Sequence, residues 1–241
     1  MFVGRVFVEH SANGGRPNFS GGSNAGAVSD RVRVFHTMGL MRQNDLTVIV
    51  GKKNCGKSSR ARSLALTRPR RIYIDPMHEY LDGVIIRDFA SLASYLRSHV
   101  HDKYAIVFRS MNDAEILAAI AIATRGSPEN PPLPGVTYII DEADRLCSAR
   151  SIPEPIHRLA NYGRHFRASA IFIARRAKML PGDIRANADR YIIGQTFEPG
   201  DVDYMREYIG DEKAAAVQAI PPRKEGEAGV FVEWPDDDSA G

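Results

Sequence analysis

Residues 51–59, which we call the glycine loop, have the types and the spacing of a loop that binds phosphate. Gly51 and Gly56 enclose four residues and are followed at once by Lys57 and Ser58, which gives the P-loop pattern Gly-x-x-x-x-Gly-Lys-Ser. The glycines allow backbone N–H groups to turn inward around a phosphate, and the start of a helix adds partial positive charge. Lys57 could reach the outer phosphates, and the Ser58 hydroxyl could join the shell of a magnesium ion. The residues predicted to contact the phosphates are Gly51, Lys52, Lys53, Asn54, Cys55, Gly56, Lys57, Ser58 and Ser59.

A pair of acids forms the second candidate for chemistry. Asp141 and Glu142 follow the apolar segment 136–140, which is the Walker B pattern. Asp141 could hold magnesium, directly or through water, and Glu142 could orient and polarise an attacking water molecule. Alone, the pair would be better interpreted as a strand that ends in a solvated acidic turn. Together with the glycine loop, it favours a hydrolytic site.

Apolar segments and helix-compatible segments alternate regularly from residue 45 onward. The predicted strands cover residues 46–50, 71–75, 83–86, 104–109, 136–140, 169–174, 190–195 and 229–234. The predicted helices cover residues 57–67, 88–99, 113–124, 154–166 and 199–210. This alternation predicts an α/β domain on a mainly parallel sheet. The segments on either side of the glycine loop therefore make a chance glycine turn the weaker interpretation.

The candidate residues share one position relative to the predicted strands. Ligands of parallel α/β sheets bind at the carboxyl ends of the strands. The glycine loop, Asp75, Asp141 with Glu142, and residues 174–176 all lie at such ends. We therefore expect a single site at one edge of the sheet.

Length and composition limit the class of protein and its organisation. The chain has 241 residues, 44% hydrophobic and 25% charged, which is ordinary for a globular protein, and a net charge of +3. We expect an N-terminal strand and a flexible Gly/Ser/Asn-rich segment over 1–44, the P-loop domain over 45–234 and an acidic tail over 235–241. No apolar run approaches the ~18 residues of a membrane span, and no secretory signal is recognised. The two cysteines suggest no disulfide framework, so we expect a cytoplasmic protein without an integral membrane segment.

Residues 71–80, Arg-Ile-Tyr-Ile-Asp-Pro-Met-His-Glu-Tyr, resemble a known family segment. FtsK/HerA-type DNA-translocating ATPases carry Asp-Pro-His-Gly-Glu-Tyr after the second strand of their RecA-like core. Residues 162–167, 170–176 and 183–189 resemble further segments of that superfamily, and the chain is most similar to its small bacteriophage members. The resemblance covers about residues 45–210. It implies a RecA-like P-loop NTPase fold, with a mainly parallel sheet flanked by helices on both faces.

The resemblance also implies an activity and roles for the residues. The expected activity is hydrolysis of ATP with Mg²⁺, in which Lys57 and the loop amides hold the phosphates. Ser58 and Asp141 would hold the metal, and Glu142 would activate water. Self-association into a ring, expected to be a hexamer, would move or package double-stranded DNA without sequence specificity. The expected setting is a virus, in the host cytoplasm.

Arginines are the least determined part of the expected site. Ring-forming ATPases complete each site with an arginine from the neighbouring subunit, which stabilises charge on the transferring phosphate. The resemblance favours Arg164 and Arg176 for this catalytic role over Arg167 and Arg175. For each of the four, a solvated basic surface is the alternative. Arg175 also stands where the family usually has a glutamine that senses the γ-phosphate, and Ala177 stands where a proline usually follows.

Two questions stay open at the level of sequence. A basic cluster formed by Arg60, Arg62, Arg68, Arg70 and Arg71 could contact DNA phosphates, or it could be a solvated helix surface. The chain could also be a nucleotide-dependent assembly or switch protein that translocates nothing. The zonula occludens toxin-like phage proteins resemble the same superfamily and represent this alternative. The missing glutamine sensor keeps the alternative open.

Overall fold

The computed structural model describes residues 45–196 and 198–235. The strand and flexible segment predicted for residues 1–44 lie outside this range. The acidic tail predicted for residues 235–241 also lies outside it, apart from Pro235.

Eight strands of the described residues form one sheet. They are β1 (Leu46–Val50), β2 (Arg70–Ile74), β3 (Val84–Ile86), β4 (Tyr104–Phe108), β5 (Val136–Ile140), β6 (Ser169–Ala174), β7 (Arg190–Ile193) and β8 (Val232–Trp234). Their order across the sheet is β3-β4-β2-β5-β6-β1-β7-β8. Each neighbouring pair is parallel except β7 and β8, which are antiparallel. The predicted mainly parallel sheet is therefore confirmed.

Seven α-helices connect the strands in the same part of the chain. They are α1 (Lys57–Ala65), α2 (Phe89–His99), α3 (Asp113–Ala121), α4 (Ala143–Leu146), α5 (Glu154–Tyr162), α6 (Gly182–Ala186) and α7 (Pro199–Gln218). Short 3₁₀ turns cover Ile122–Thr124, Gly163–Phe166 and Ala177–Met179. Asp88 caps α2 by accepting a hydrogen bond from the Ser91 amide at 2.8 Å, as its residue type predicts. Across residues 45–196 and 198–235, no helix combines the length and the apolar character that a membrane crossing requires.

The helices cover both faces of the sheet. Neighbouring side chains of a strand point to opposite faces, so Val48 joins the larger hydrophobic core and Ile49 joins the smaller one. Helix α1 packs on the smaller core through Ala61, Leu64 and Ala65. Helices α2, α3, α5, α6 and α7 contribute buried residues to the larger core. This two-sided arrangement confirms the predicted layers.

The strand order brings the candidate residues to one edge of the sheet. Strand β1, which precedes the glycine loop, lies between β6 and β7. Strand β5, which ends before Asp141, pairs with the other side of β6. Since β1, β5 and β6 are parallel, their carboxyl ends meet at the same edge.

Some predicted boundaries are wrong, for physical reasons. The helix predicted for 199–210 does end at Gly210, whose φ of 79° and ψ of 170° are not helical, but the second helical segment that continues α7 to Gln218 was not predicted. The strand predicted for 229–234 is confined to Val232–Trp234. Helices α4 and α6 have four and five residues, which is too short to show a helical period.

The C-terminal strap, which we define as residues 221–231, crosses back over the glycine loop. The Arg223 guanidinium donates a hydrogen bond from Nη1 to the Asn54 carbonyl at 3.1 Å. A Cβ atom on Gly229 would lie only 2.2 Å from the carbonyl oxygen of Cys55. The two backbones therefore approach so closely that only glycine fits at position 229.

A Gly229→Ala substitution tests this close approach. The added methyl must displace the strap or the loop backbone, so we expect the free energy of unfolding to fall by about 1–3 kcal/mol. Gly200→Ala is the matched control, because a Cβ there meets no atom within 4 Å. It should change stability by less than about 0.5 kcal/mol. Urea unfolding measures both, and equal effects would contradict the close packing of strap and loop.

Candidate nucleotide-binding site

The glycine loop joins β1 to α1 through backbone conformations that side chains disfavour. Gly51 and Gly56 have φ angles of 151° and 97°, and Asn54 has a φ of 64°. A Cβ on Gly51 would also lie 2.8 Å from the Cys55 sulfur. Gly56 is the N-cap of α1, and no side chain among the described residues caps this helix end. The N–H groups of the first turn are therefore directed to the loop, as anion binding at a helix start requires.

Lys57 lies against the loop that it ends. Its Nζ donates a hydrogen bond to the carbonyl of Lys52 at 2.8 Å. The ammonium group is thereby held over the predicted phosphate-binding amides. A phosphate bound there would gain a cation as well as backbone donors.

Ser58 and Asp141 meet although they are 83 positions apart in the chain. The Ser58 hydroxyl donates to Asp141 Oδ2 at 3.1 Å. The same oxygen accepts from the Tyr80 hydroxyl at 3.2 Å, and Oδ1 accepts from the Glu142 amide at 2.9 Å. Burial raises the pKa of the Asp141 carboxyl, because its ionised form loses contact with water. A divalent cation bound beside it would offset this effect of burial and favour the ionised form.

The residues present fit magnesium bound together with a triphosphate. Within the described part of the chain, no cluster of three or more His, Cys, Asp or Glu side chains forms a metal site of its own. A P-loop metal needs no such cluster, since one hydroxyl, one carboxylate and phosphate oxygens suffice. Ser58 and Asp141 are the hydroxyl and the carboxylate at this position.

Glu142 adopts a backbone conformation that is unusual for its residue type. Its φ and ψ are 49° and 45°, in the left-handed region, at the start of α4. Such conformations cluster at functional sites. Its carboxylate contacts Arg175, with Nη2 of the arginine 3.3 Å from Oε1. The Arg175 side chain is 67% exposed and that of Glu142 is 25% exposed, so this ion pair faces solvent.

One cleft of about 450 Å³ unites these groups. The glycine loop forms one wall, Asp141 and Glu142 form the facing wall, and the strap contributes Arg223. The side chains or backbones that line it include Lys53, Asn54, Gly56, Lys57, Ser58, Ser59, Met77, Glu79, Asp141, Glu142, Asp144, Arg175 and Arg223. The expectation of a single site at the sheet edge agrees with this geometry.

Arg164 and Arg176 are placed differently from the rest of the predicted site. Arg164 lies in the turn before β6, beside Leu46 and Ala170, at the opposite edge of the sheet from the glycine loop. Arg176 forms ion pairs with Glu198 and with Asp201, which lies in the first turn of α7. The structure brings Arg175, not these two, to the cleft of its own chain. A role for Arg164 or Arg176 in a neighbouring subunit stays a prediction.

Asp75 shapes the turn after β2 and does not enter the cleft. It is fully buried and accepts hydrogen bonds from the amides of Glu79 and Tyr80, at 2.7 and 3.2 Å. Arg109 forms an ion pair with Asp75, in which the arginine Nε lies 3.3 Å from Asp75 Oδ2. The turn directs Glu79 to the cleft and Tyr80 to Asp141. Sequence reasoning identified this segment by its Asp-Pro and Glu-Tyr pattern, but it assigned no role to Tyr80, Arg109 or Arg223.

The arginines of the basic cluster form ion pairs and hydrogen bonds with other residues of the same chain. Ion pairs join Arg60 to Glu233, Arg62 and Arg71 to Asp82, and Arg68 to Asp45. Arg70 donates to the carbonyls of His101, Asp102 and Pro134. These contacts favour a structural role for the cluster over the alternative of a DNA-contacting stripe.

Comparisons with known proteins establish the fold. The sequence matches no protein-family model and no curated protein. The genome packaging NTPase B204 from Sulfolobus turreted icosahedral virus 2, in complex with ATP-gammaS, has a TM-score of 0.59 and 22% identity over 75% of this chain and 89% of that chain. The DNA-packaging ATPase B204 from Sulfolobus Turreted Icosahedral Virus has a TM-score of 0.54 and 20% identity over 75% and 90%. These likenesses and the eight-stranded sheet identify the fold of this chain as that of a RecA-like P-loop NTPase.

Proposed function

We propose that this chain is a magnesium-dependent ATPase that moves or packages double-stranded DNA as a ring, for a virus in its host's cytoplasm. One observation carries the ATPase: Ser58 and Asp141 meet at 3.1 Å in the cleft that also holds Lys57 and Glu142. These are the parts that P-loop hydrolysis requires, and they come from distant segments of the chain. The likeness of fold to viral packaging NTPases that bind nucleotides supports the proposal.

Each residue of the cleft has a role in the proposed hydrolysis. The loop amides and Lys57 bind the phosphates, and Ser58 and Asp141 hold the metal. Magnesium, when bound, neutralises charge that develops on the transferring phosphate. Glu142 orients the attacking water and accepts its proton. Arg175 contacts Oε1 of the Glu142 carboxylate, and the Glu142 side chain is 25% exposed, so a water molecule can reach the carboxylate.

A Glu142→Gln substitution tests the assignment of the base. It should preserve ATP binding and reduce the hydrolysis rate by about 10²–10⁴, because the amide cannot accept the proton. Asp144→Asn is the matched control, since Asp144 also lines the cleft but has no assigned step. Phosphate release and equilibrium binding of a fluorescent ATP analogue measure the two properties. Normal turnover by the Glu142 variant would show that another group is the base.

The proposal that the chain moves DNA has less direct support than the proposal that it hydrolyses ATP. Because the contacts within the chain favour a structural role for the basic cluster, we expect other residues or the assembled ring to supply the contacts to DNA phosphates. We expect double-stranded DNA to raise ATP turnover several-fold, independently of its sequence, and ATP to promote a ring, expected to be a hexamer. Turnover assays with and without DNA, together with sizing by light scattering, measure both. A monomer whose turnover ignores DNA would rule out the motor.

Arg164 is the better of the two predicted arginines for a role in a neighbouring site. Arg176 is held by Glu198 and Asp201, whereas Arg164 is exposed on the surface. Arg164→Ala and Lys57→Ala should each abolish turnover, the first by removing the arginine and the second by removing the phosphate contact. Mixing the two inactive variants should restore turnover, because some interfaces then combine an intact Lys57 with an intact Arg164. A mixture that stays inactive while sizing shows mixed rings would exclude Arg164.

A nucleotide-dependent assembly or switch protein is the second candidate. The observation that favours it is the Arg175–Glu142 ion pair, in which the arginine that replaces the usual glutamine sensor contacts the proposed base. Such a protein would bind ATP and a protein partner without moving DNA. The DNA-stimulation assay separates it from the motor, because its turnover would not respond to DNA.

A further inference from the structure

Tyr80 is fixed at every one of its polar atoms and on one face of its ring. The residue is only 1% exposed. Its amide donates to Asp75 Oδ2 at 3.2 Å, and its carbonyl accepts from Arg109 Nη2 at 2.6 Å. Its ring stacks on that of Tyr73, with 4.5 Å between centroids and 26° between planes. These contacts restrict the side chain to one position, in which its hydroxyl contacts Asp141.

The two stacked tyrosines direct their hydroxyls to different partners. The Tyr80 hydroxyl donates to Asp141 Oδ2 at 3.2 Å, in the candidate site. The Tyr73 hydroxyl donates to Asp82 Oδ2 at 2.8 Å, outside that site. Stacking and burial of apolar area would be served equally by phenylalanine at either position. The hydroxyl of Tyr80 thus has a contact that packing does not require.

The Asp141 oxygen that Tyr80 contacts is shared with Ser58. In P-loop proteins the serine hydroxyl joins the magnesium shell when nucleotide is bound. Coordination of the metal uses a lone pair of the Ser58 oxygen, so its O–H can still donate to Asp141, and Tyr80 gives Oδ2 a second hydrogen bond from a side chain with no assigned contact to the metal. Partners of this kind orient the groups that bind a metal, and their loss typically reduces metal affinity.

We infer that Tyr80 is a positioning residue for the magnesium carboxylate, an inference that rests on the proposed function. It holds the Asp141 carboxylate in the orientation that the metal and its water require. Asp75 and Arg109 in turn hold Tyr80, so the turn after β2 supports the metal site at the end of β5. This gives the Asp-Pro and Glu-Tyr segment a physical role in the site.

Tyr80→Phe and Tyr73→Phe form a matched pair of variants. Each loses one hydroxyl from the same stack, and only the first loses a contact with Asp141. We expect Tyr80→Phe to raise the magnesium concentration for half-maximal binding of a fluorescent ATP analogue by about 10–100-fold. Tyr73→Phe should match the wild type, and metal-free nucleotide binding should be equal in all three. Equilibrium titration with magnesium chloride measures these properties without any turnover.

A second test compares the magnesium dependence of Asp141→Asn with that of the double variant that also carries Tyr80→Phe. If Tyr80 acts through the carboxylate, adding Tyr80→Phe to Asp141→Asn should change magnesium dependence no further. Additive effects in the double variant, or a Tyr80→Phe variant that matches Tyr73→Phe, overturn the inference while the proposed function stands. A wild-type chain whose nucleotide binding ignores magnesium overturns the inference and the proposed function together.

Discussion

The hydrogen bond between Ser58 and Asp141 depends on the register of three neighbouring parallel strands. Val50 lies beside Ala174, and Ile140 lies beside Phe172, so the segments that follow β1, β5 and β6 all emerge at one edge. A slip of one residue would turn every side chain of a strand to the other face and would bury the wrong groups. The alternating cores on the two faces therefore fix the geometry of the candidate site as well as the fold.

Two further segments hold this edge in shape. The turn after β2 is organised by the buried Asp75 and Arg109 pair, which would be costly to break because either charge alone would be left without its partner. The strap presses Gly229 against the loop backbone and ties Arg223 to it. The cleft is thus supported by packed segments beside Asp141 and beside the glycine loop. By contrast, the Glu142–Arg175 pair faces solvent, where an ion pair contributes little to stability.

Sequence reasoning predicted the elements that depend on local pattern and missed those that depend on distant contacts. Strands over 46–50, 136–140 and 169–174 have the predicted bounds, because buried parallel strands are continuous apolar runs. The glycine loop and the acidic pair were predicted from spacing, and the geometry agrees with their meeting. The contact of Tyr80 with Asp141 and the partner of Arg175 have no local signature, since each joins segments far apart in the chain. The internal partners of the basic cluster could not be predicted for the same reason.

A crystal structure with a non-hydrolysable ATP analogue and Mn²⁺ in place of Mg²⁺ tests the central claim most directly. The anomalous signal of the metal locates it independently of the protein density. Our account predicts a triphosphate against the amides of residues 51–58, with the metal between the Ser58 hydroxyl and the Asp141 carboxylate. A triphosphate bound away from this loop, or a metal at another edge of the sheet, would contradict the account.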